Sequence, residues 1–255
     1  MDGRLQLLPA EWQAPPGVRA FSTLRTGGTS AAPWNSLNLG AHVGDSRDSV
    51  EANRRMLREA AALPAEPHWL EQVHGIAVAD ADVAGAFTRA DAAVGTHPGR
   101  VCVVMTADCL PVVLASVDGA VVGAAHAGWR GLAAGVIEAT LDAMRRRSPA
   151  GTTFQAWLAP AIGAANFEVG DDVRAAFLAA DPQAADAFVP NAQRRWQCDL
   201  YRLARQRLER SGVDRISGGS RCTYAEEGSF FSHRRDVQHR GLQATGRMAT
   251  LIWRT

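Results

Sequence analysis

The chain has 255 residues, 47% of them hydrophobic and 21% charged, which is enough to bury one large core and too apolar for disorder. Its 27 basic and 26 acidic residues leave a formal charge of +1, so nothing favours nucleic acid or an anionic membrane surface as partner. No stretch approaches the ~18 consecutive apolar residues of a membrane span, and the four cysteines lack the spacing of a disulfide framework.

The start, MDGRLQLLPAEW, has no basic segment followed by an apolar core. A single domain over residues 1–255 is therefore expected, cytoplasmic, with reduced thiols and a small-molecule substrate. Residues 17–23 read as a strand entering the turn RTGGTS, where two glycines allow close approach to a ligand and Arg25 offers a guanidinium for an anion. The polar stretch WNSLNLG is a loop. Asp45 or Ser46 then caps a helix with Val50, Met56 and Leu57 inward and Arg47, Arg54, Arg55 and Arg58 mostly outward.

In EQVHG, Gly75 permits a sharp bend that frees the imidazole of His74 to leave the sheet end. A β-like segment at 76–78 and a short strand at 90–96 follow. His97-Pro98-Gly99 is turn chemistry, with His97 at the surface. Residues 101–105 are short and β-branched, as in a buried strand, which makes Cys102 an inert core thiol. Asp118-Gly119 is a hairpin turn signal between 111–116 and 120–125. Such a hairpin places Asp108-Cys109 and His126 side by side at its open end.

AGWRG opens a helix expected to run unbroken to Met144 and to close on Arg145-Arg146-Arg147, which suit its negative end. Its first turn favours an anion, and Arg130 adds a bidentate donor there. Further on come a strand at 154–158, a pocket-walling loop at 159–163, helices at 170–180 and 199–211, and strands at 213–217 and 248–253. The segments CTY and FFSHRRD form an aromatic and basic cluster, which is either a ring-stacking surface or a satellite core with a charged rim.

Two imidazoles and a thiolate, from His74, His126 and Cys109, are ligands for zinc or copper, and three ligands leave a fourth position open for catalysis. The same residues also fit a buried thiol with two satisfied histidines. Spacing alone does not separate these readings, since the short CxxC or HxxxH patterns are missing. Convergence at the hairpin end favours a shared site.

RTGGTS, NSLNLGAHVGD, EQVHG, TADCLPVVL, AAHAGWRGLAAGV, PAIGAANFEVG, CTY, FFSHRRD and GRMATLIW, in this order from Phe21 to Trp253, resemble the YfiH or laccase-domain family. The resemblance implies a single layered α/β sandwich with mixed sheets, similar to the catalytic domain of cytotoxic necrotising factor toxins. It also implies that His74, Cys109 and His126 bind a catalytic metal, zinc or else copper. One departure is His233, where the family commonly has Tyr.

Three activities attach to such a family. Multicopper oxidation needs a second His-rich cluster, and the remaining histidines here show no HxH pairing. Purine nucleoside phosphorolysis (adenosine, inosine, guanosine, methylthioadenosine) with adenosine deamination suits one open metal position that presents either oxygen nucleophile. In that reading Cys109, His126 and Asp108 are the catalytic residues, and Arg25 or Arg130 binds phosphate. Asn38, Gln72 and Ser22 contact sugar or base. Asp108 relays a proton, orients a ligand or serves a structural role. The alternatives are a peptidoglycan-precursor amidase acting on a muramoyl-serine peptide, through metal or through Cys109 as nucleophile with His126 as base, and weak polyphenol oxidation by copper loaded at the single His₂Cys site. A closed zinc staple in a nucleotide-binding protein is the non-enzymatic reading.

Overall fold

The computed structural model describes residues 5–83 and 88–255; residues 1–4, the first of the stretch read for a leader, lie outside it. Its layers follow from side-chain alternation. In the strand Val101–Thr106, Val101, Val103 and Met105 face one side while Cys102 and Val104 face the other. This strand lies at the edge of a four-stranded antiparallel sheet with Met248–Arg254, Val18–Thr23 and Leu7–Pro9. A second sheet runs in the order Arg215–Gly218, Phe154–Leu158, Leu110–Ser116, Val122–Ala127, Ala92–Gly95, Val78–Asp80, and its two outermost pairs are parallel.

The sheets stack face to face. Cys102, Val104 and Ile252 of the first pack against Val113, Ala115, Val122, Ala124 and Trp157 of the second. Strands covered on both faces need apolar side chains in both directions, which is why these segments read as continuous hydrophobic runs. The α-helices of the described residues are α1 (Arg47–Ala60), α2 (Trp129–Ala134), α3 (Val136–Arg145), α4 (Asp171–Ala180) and α5 (Leu200–Arg210). Leu57 of α1 covers the outer face of the four-stranded sheet, with Leu37, Leu39 and Trp69. Ile137, Leu141 and Met144 of α3 and Leu203 and Leu208 of α5 cover the six-stranded one. The fold is thus an α/β sandwich of helix, sheet, sheet and helix, as expected. None of its helices is long and apolar enough to cross a membrane.

Three local expectations change. The helix opened by AGWRG is two helices, because Gly135 adopts φ +102° and ends α2 with its N–H on the carbonyl of Gly131. Arg54 is no solvated charge: it donates twice to the Leu39 carbonyl and lies 3.9 Å over the Trp69 ring. Ser46 occupies the N-cap position of α1 without a side-chain bond, while Asp45 accepts from Ser30, Asn38 and the Ser46 N–H, bracing the preceding loop.

The DG hairpin forms, with the Asp118 carboxylate accepting from Ser116 and from the Ala120 N–H, but its second strand is Val122–Ala127 rather than 120–125, so His126 lies within the strand and not just past it. Between Thr106 and Leu110 the chain leaves one sheet and enters the other, so Ala107, Asp108 and Cys109 bridge the two stacked layers. That crossing positions the site.

Candidate metal centre and its cavity

Cys109 immediately precedes its strand, and His126 lies opposite Pro111 in the neighbouring one. His126 is buried, and its Nδ1 is 2.9 Å from Asp91 Oδ1, which leaves Nε2 for Cys109. The third group comes from outside the sheets. His74 itself takes the bend expected of Gly75, with φ +61°, a conformation unusual for a residue with a Cβ. Asp91 holds that bend by accepting three successive N–H groups, from Val73 (3.2 Å), His74 (2.8 Å) and Gly75 (2.6 Å).

The ligand atoms of His74, Cys109 and His126 lie within 4.8 Å of one another, with His74 Nε2 3.9 Å from the Cys109 sulfur. Tetrahedral bonds of ~2.0 Å to nitrogen and ~2.3 Å to sulfur place donors about 3.3–3.5 Å apart, so a small contraction would seat one ion. Two imidazoles and a thiolate suit zinc or copper. Among the described residues no second group of three or more His, Cys, Asp or Glu is close enough to hold a metal. The residues present therefore fit one ion and give no footing to a multinuclear copper centre.

The electrostatics prepare these donors. Burial opposes ionisation of Cys109, but the charge of His126 and hydrogen bonds from His126 and His74 outweigh it and bring the thiol down to about 6. Burial likewise opposes protonation of His126; the Cys109 thiolate and the Asp91 hydrogen bond win and raise it to about 9. Without a metal, Cys109 and His126 are thus a thiolate–imidazolium pair around neutral pH. Asp91 stays below the usual carboxylate range because its bonds to His126 and Gly75 overcome burial. By contrast, burial pushes the Cys102 and Cys198 thiols far up, consistent with inert core positions.

A cavity of about 350 Å³ opens over the three donors, near the lower end of the ~300–1,000 Å³ usual for small-molecule sites. Trp129, Ile162, Phe167 and Leu200 give it apolar walls. Its guanidiniums are Arg130, Arg234 and Arg247. His42 and His233 also line it, and burial followed by the charge of Arg247 lowers both below the ordinary histidine value, so they face the cavity neutral.

The expected site residues divide. Arg130 lines the cavity, its guanidinium 4.4 Å from the Trp129 ring. Gln72 lines it too, but its amide is committed to the Met105 main chain, accepting from the N–H and donating to the carbonyl. Asp108 lies at φ +93° and lines the cavity, and its carboxylate accepts from the Thr223 and Ser232 hydroxyls and the Arg234 N–H. It ties the C-terminal wall to the bridge that carries Cys109. Arg25 and Asn38 are not among the lining residues. Arg25 donates to the Asn35 and Glu227 carbonyls and stacks on Phe231, and the Asn38 amide braces Gly40, Asp45 and the Arg247 N–H. The FFSHRRD cluster takes the second of its two expected forms: Phe230 and Phe231 are a buried satellite core with Met248, and of its polar rim His233 and Arg234 line the cavity.

Asp91, Arg247 and His42 are not singled out by sequence, whereas Arg234 belongs to the FFSHRRD cluster named there. Asp91 alone left a signal, as the one charge entering the fully buried strand Ala92–Gly95.

A layered α/β sandwich with a three-ligand His₂Cys cluster under a cationic cavity defines the class. Residues 19–255 match the family described as multi-copper polyphenol oxidoreductase laccase, and the chain belongs to this YfiH/laccase-domain family. It is 50% identical over 251 residues to the purine nucleoside phosphorylase YfiH of Escherichia coli, covering 97% of this chain and 98% of the relative. A purine nucleoside phosphorylase of Pseudomonas aeruginosa is 49% identical over 247 residues, covering 96% and 97%. A crystal structure of a Neisseria meningitidis protein superposes with a TM-score of 0.89 at 45% identity, covering 97% and 98%.

Proposed function

We propose that this protein is a zinc-dependent purine nucleoside phosphorylase that also deaminates adenosine. The observation that carries the reading is the convergence of His74, Cys109 and His126 beneath a small cavity with apolar walls and guanidiniums at its side. The similarity to purine nucleoside phosphorylases of Escherichia coli and Pseudomonas aeruginosa supports the reaction. Zinc, which His74, Cys109 and His126 would hold, would supply Lewis acidity toward an oxygen nucleophile.

The chain's own groups do the rest. Trp129 and Phe167 offer flat apolar surface to a purine, and Arg130, with Arg234 and Arg247, offers charge-assisted hydrogen bonds to phosphate. In phosphorolysis a phosphate oxygen bonds to C1′ while the glycosidic bond breaks, and the purine leaves with the electron pair and gains a proton. In deamination, water oxygen bonds to C6 and ammonia leaves. Asp108 acts by position, holding the wall against the Cys109 bridge. Zinc-replete protein incubated with adenosine, with and without phosphate, tests the reading by chromatography. Phosphate-dependent adenine, or inosine without phosphate, is expected, and either is lost in Cys109→Ala. No product under any condition overturns it.

A second reading is favoured by one observation: Cys109, His126 and Asp91 stand in the order of nucleophile, base and orienting acid. The thiolate would attack an amide carbonyl, the amine would leave with a proton from His126, and water would cleave the thioester. A muramoyl-serine peptide is the substrate to try. Activity that survives chelation and dies with alkylation selects this reading; loss to chelator with recovery on Zn²⁺ selects the first.

A further inference from the structure

The geometry points to Asp91 as the residue that positions both histidines, fixing which nitrogen of His126 faces Cys109 and where the His74 bend sits. This rests on the metal reading only for its affinity test. Asp91 Oδ1 takes His126 Nδ1 at 2.9 Å and the His74 N–H at 2.8 Å. Asp91 Oδ2 takes the Val73 N–H at 3.2 Å and the Gly75 N–H at 2.6 Å. The main chain adds a further tie, since the His126 N–H donates to the Asp91 carbonyl at 2.7 Å. One carboxylate therefore links a ligand inside the six-stranded sheet to another on a loop outside it.

The chemistry of the acceptor sets the consequence. Four donors converge on two oxygens, and a carboxylate accepts through both. An amide accepts through one only. In Asp91→Asn the NH₂ group must face either the Val73 and Gly75 N–H groups, which loosens the His74 bend, or the His126 ring. In the second case His126 is driven to the tautomer with Nε2 protonated, which cannot bind a metal or accept from Cys109. Either arrangement injures the site while removing no ligand.

Asp82 provides a matched control, since its carboxylate likewise gathers N–H and O–H donors, from Thr96 and His97, outside the cavity. Zinc affinity of wild type, Asp91→Asn, Asp91→Glu and Asp82→Asn, read by chelator competition alongside thermal melts, tests the inference. Asp91→Asn is expected to lose about 10–100-fold in affinity, Asp91→Glu to recover part of it, and Asp82→Asn to match wild type within about twofold. Equal loss in Asp91→Asn and Asp82→Asn, or none in Asp91→Asn, overturns the assignment.

Imidazole ¹⁵N spectra of the wild type keep the inference testable if Asp91→Asn does not fold. Recorded where the His126 ring is neutral, they are expected to show its one proton on Nδ1, and a proton on Nε2 overturns the inference. Failure of wild type to bind zinc would instead overturn the metal reading and leave the tautomer result standing.

Discussion

His126 stands directly opposite Pro111 across the antiparallel pair, so its imidazole lies beside Cys109, the residue just before the facing strand begins at Leu110. Pro111 has no N–H to give, and the two main chains turn outward here: the Pro111 carbonyl accepts from the Ala159 N–H on one side, and His126 donates its main-chain N–H to the Asp91 carbonyl on the other. The imidazole is thus set by strand register and the thiol by the bridge that leads into the facing strand, while His74 comes from a loop outside both sheets.

Gly128 leaves room for all three ligands. A Cβ built there would come within 3.0 Å of both the Cys109 sulfur and the His74 ring. Gly128→Ala is expected to weaken zinc binding at least about tenfold while lowering the melting temperature by only about 2–4 °C, the equivalent of ~1 kcal/mol. Chelator competition and a thermal melt check this; unchanged affinity would show that the cluster tolerates a methyl group at its centre.

In metal-free protein, Cys109 alkylation should follow its thiolate. With the thiol lowered to about 6, iodoacetamide labelling should be nearly full at pH 8, half-maximal near pH 6, and lost as pH falls further. An ordinary cysteine titrates near ~8.5. His126→Ala removes the cation that lowers Cys109 and is expected to move the inflection upward. Because His126 titrates at about 9, the ion pair persists between roughly these two values and dissolves on either side. Mass spectrometry separates Cys109 from half-buried Cys222, and zinc should suppress the labelling.

Asp108 tests structure against chemistry. Its carboxylate holds Thr223, Ser232 and the Arg234 N–H in a buried setting, and hydrogen bonds to charged groups contribute ~1.5–3 kcal/mol each. Asp108→Asn is expected to lose about 2–4 kcal/mol in denaturant unfolding. Full stability with a displaced pH–rate profile would instead make it a proton carrier.

The arginines should separate by position. Arg247→Ala and Arg130→Ala are expected to raise the KM for phosphate about 10–100-fold, the loss of one charge-assisted bond. Arg25→Ala, whose guanidinium is held by main-chain carbonyls outside the cavity, should leave it within about twofold. The opposite order would return the anion site to the RTGGTS turn.

Much of this site was legible because it rests on local rules. Asp118-Gly119 announces a hairpin, and the hairpin alone brings Cys109 to His126. What escaped notice depends on tertiary contact. Nothing local marks Arg247 as facing the same cavity as Arg130, since the two are joined only by the stacking of the sheets. Asp91 could have been noticed as a charge bordering an apolar strand, but its partners at 73–75 and 126 are distant in sequence. The split at Gly135 was within reach, because a glycine ending a short amphipathic turn is the usual residue for a left-handed cap. Arg54 was misplaced for a general reason: a long side chain can cover an aromatic ring and still read as a surface charge.

Binding of one ion by His74, Cys109 and His126 is the central expectation for this site. Titrating metal-free protein with Co²⁺ while following the thiolate-to-metal charge-transfer band measures this directly. One equivalent is expected, with the band abolished in Cys109→Ala and both affinity and spectrum altered in His74→Ala and His126→Ala. Saturation at several equivalents, or a band that survives loss of Cys109, would contradict it.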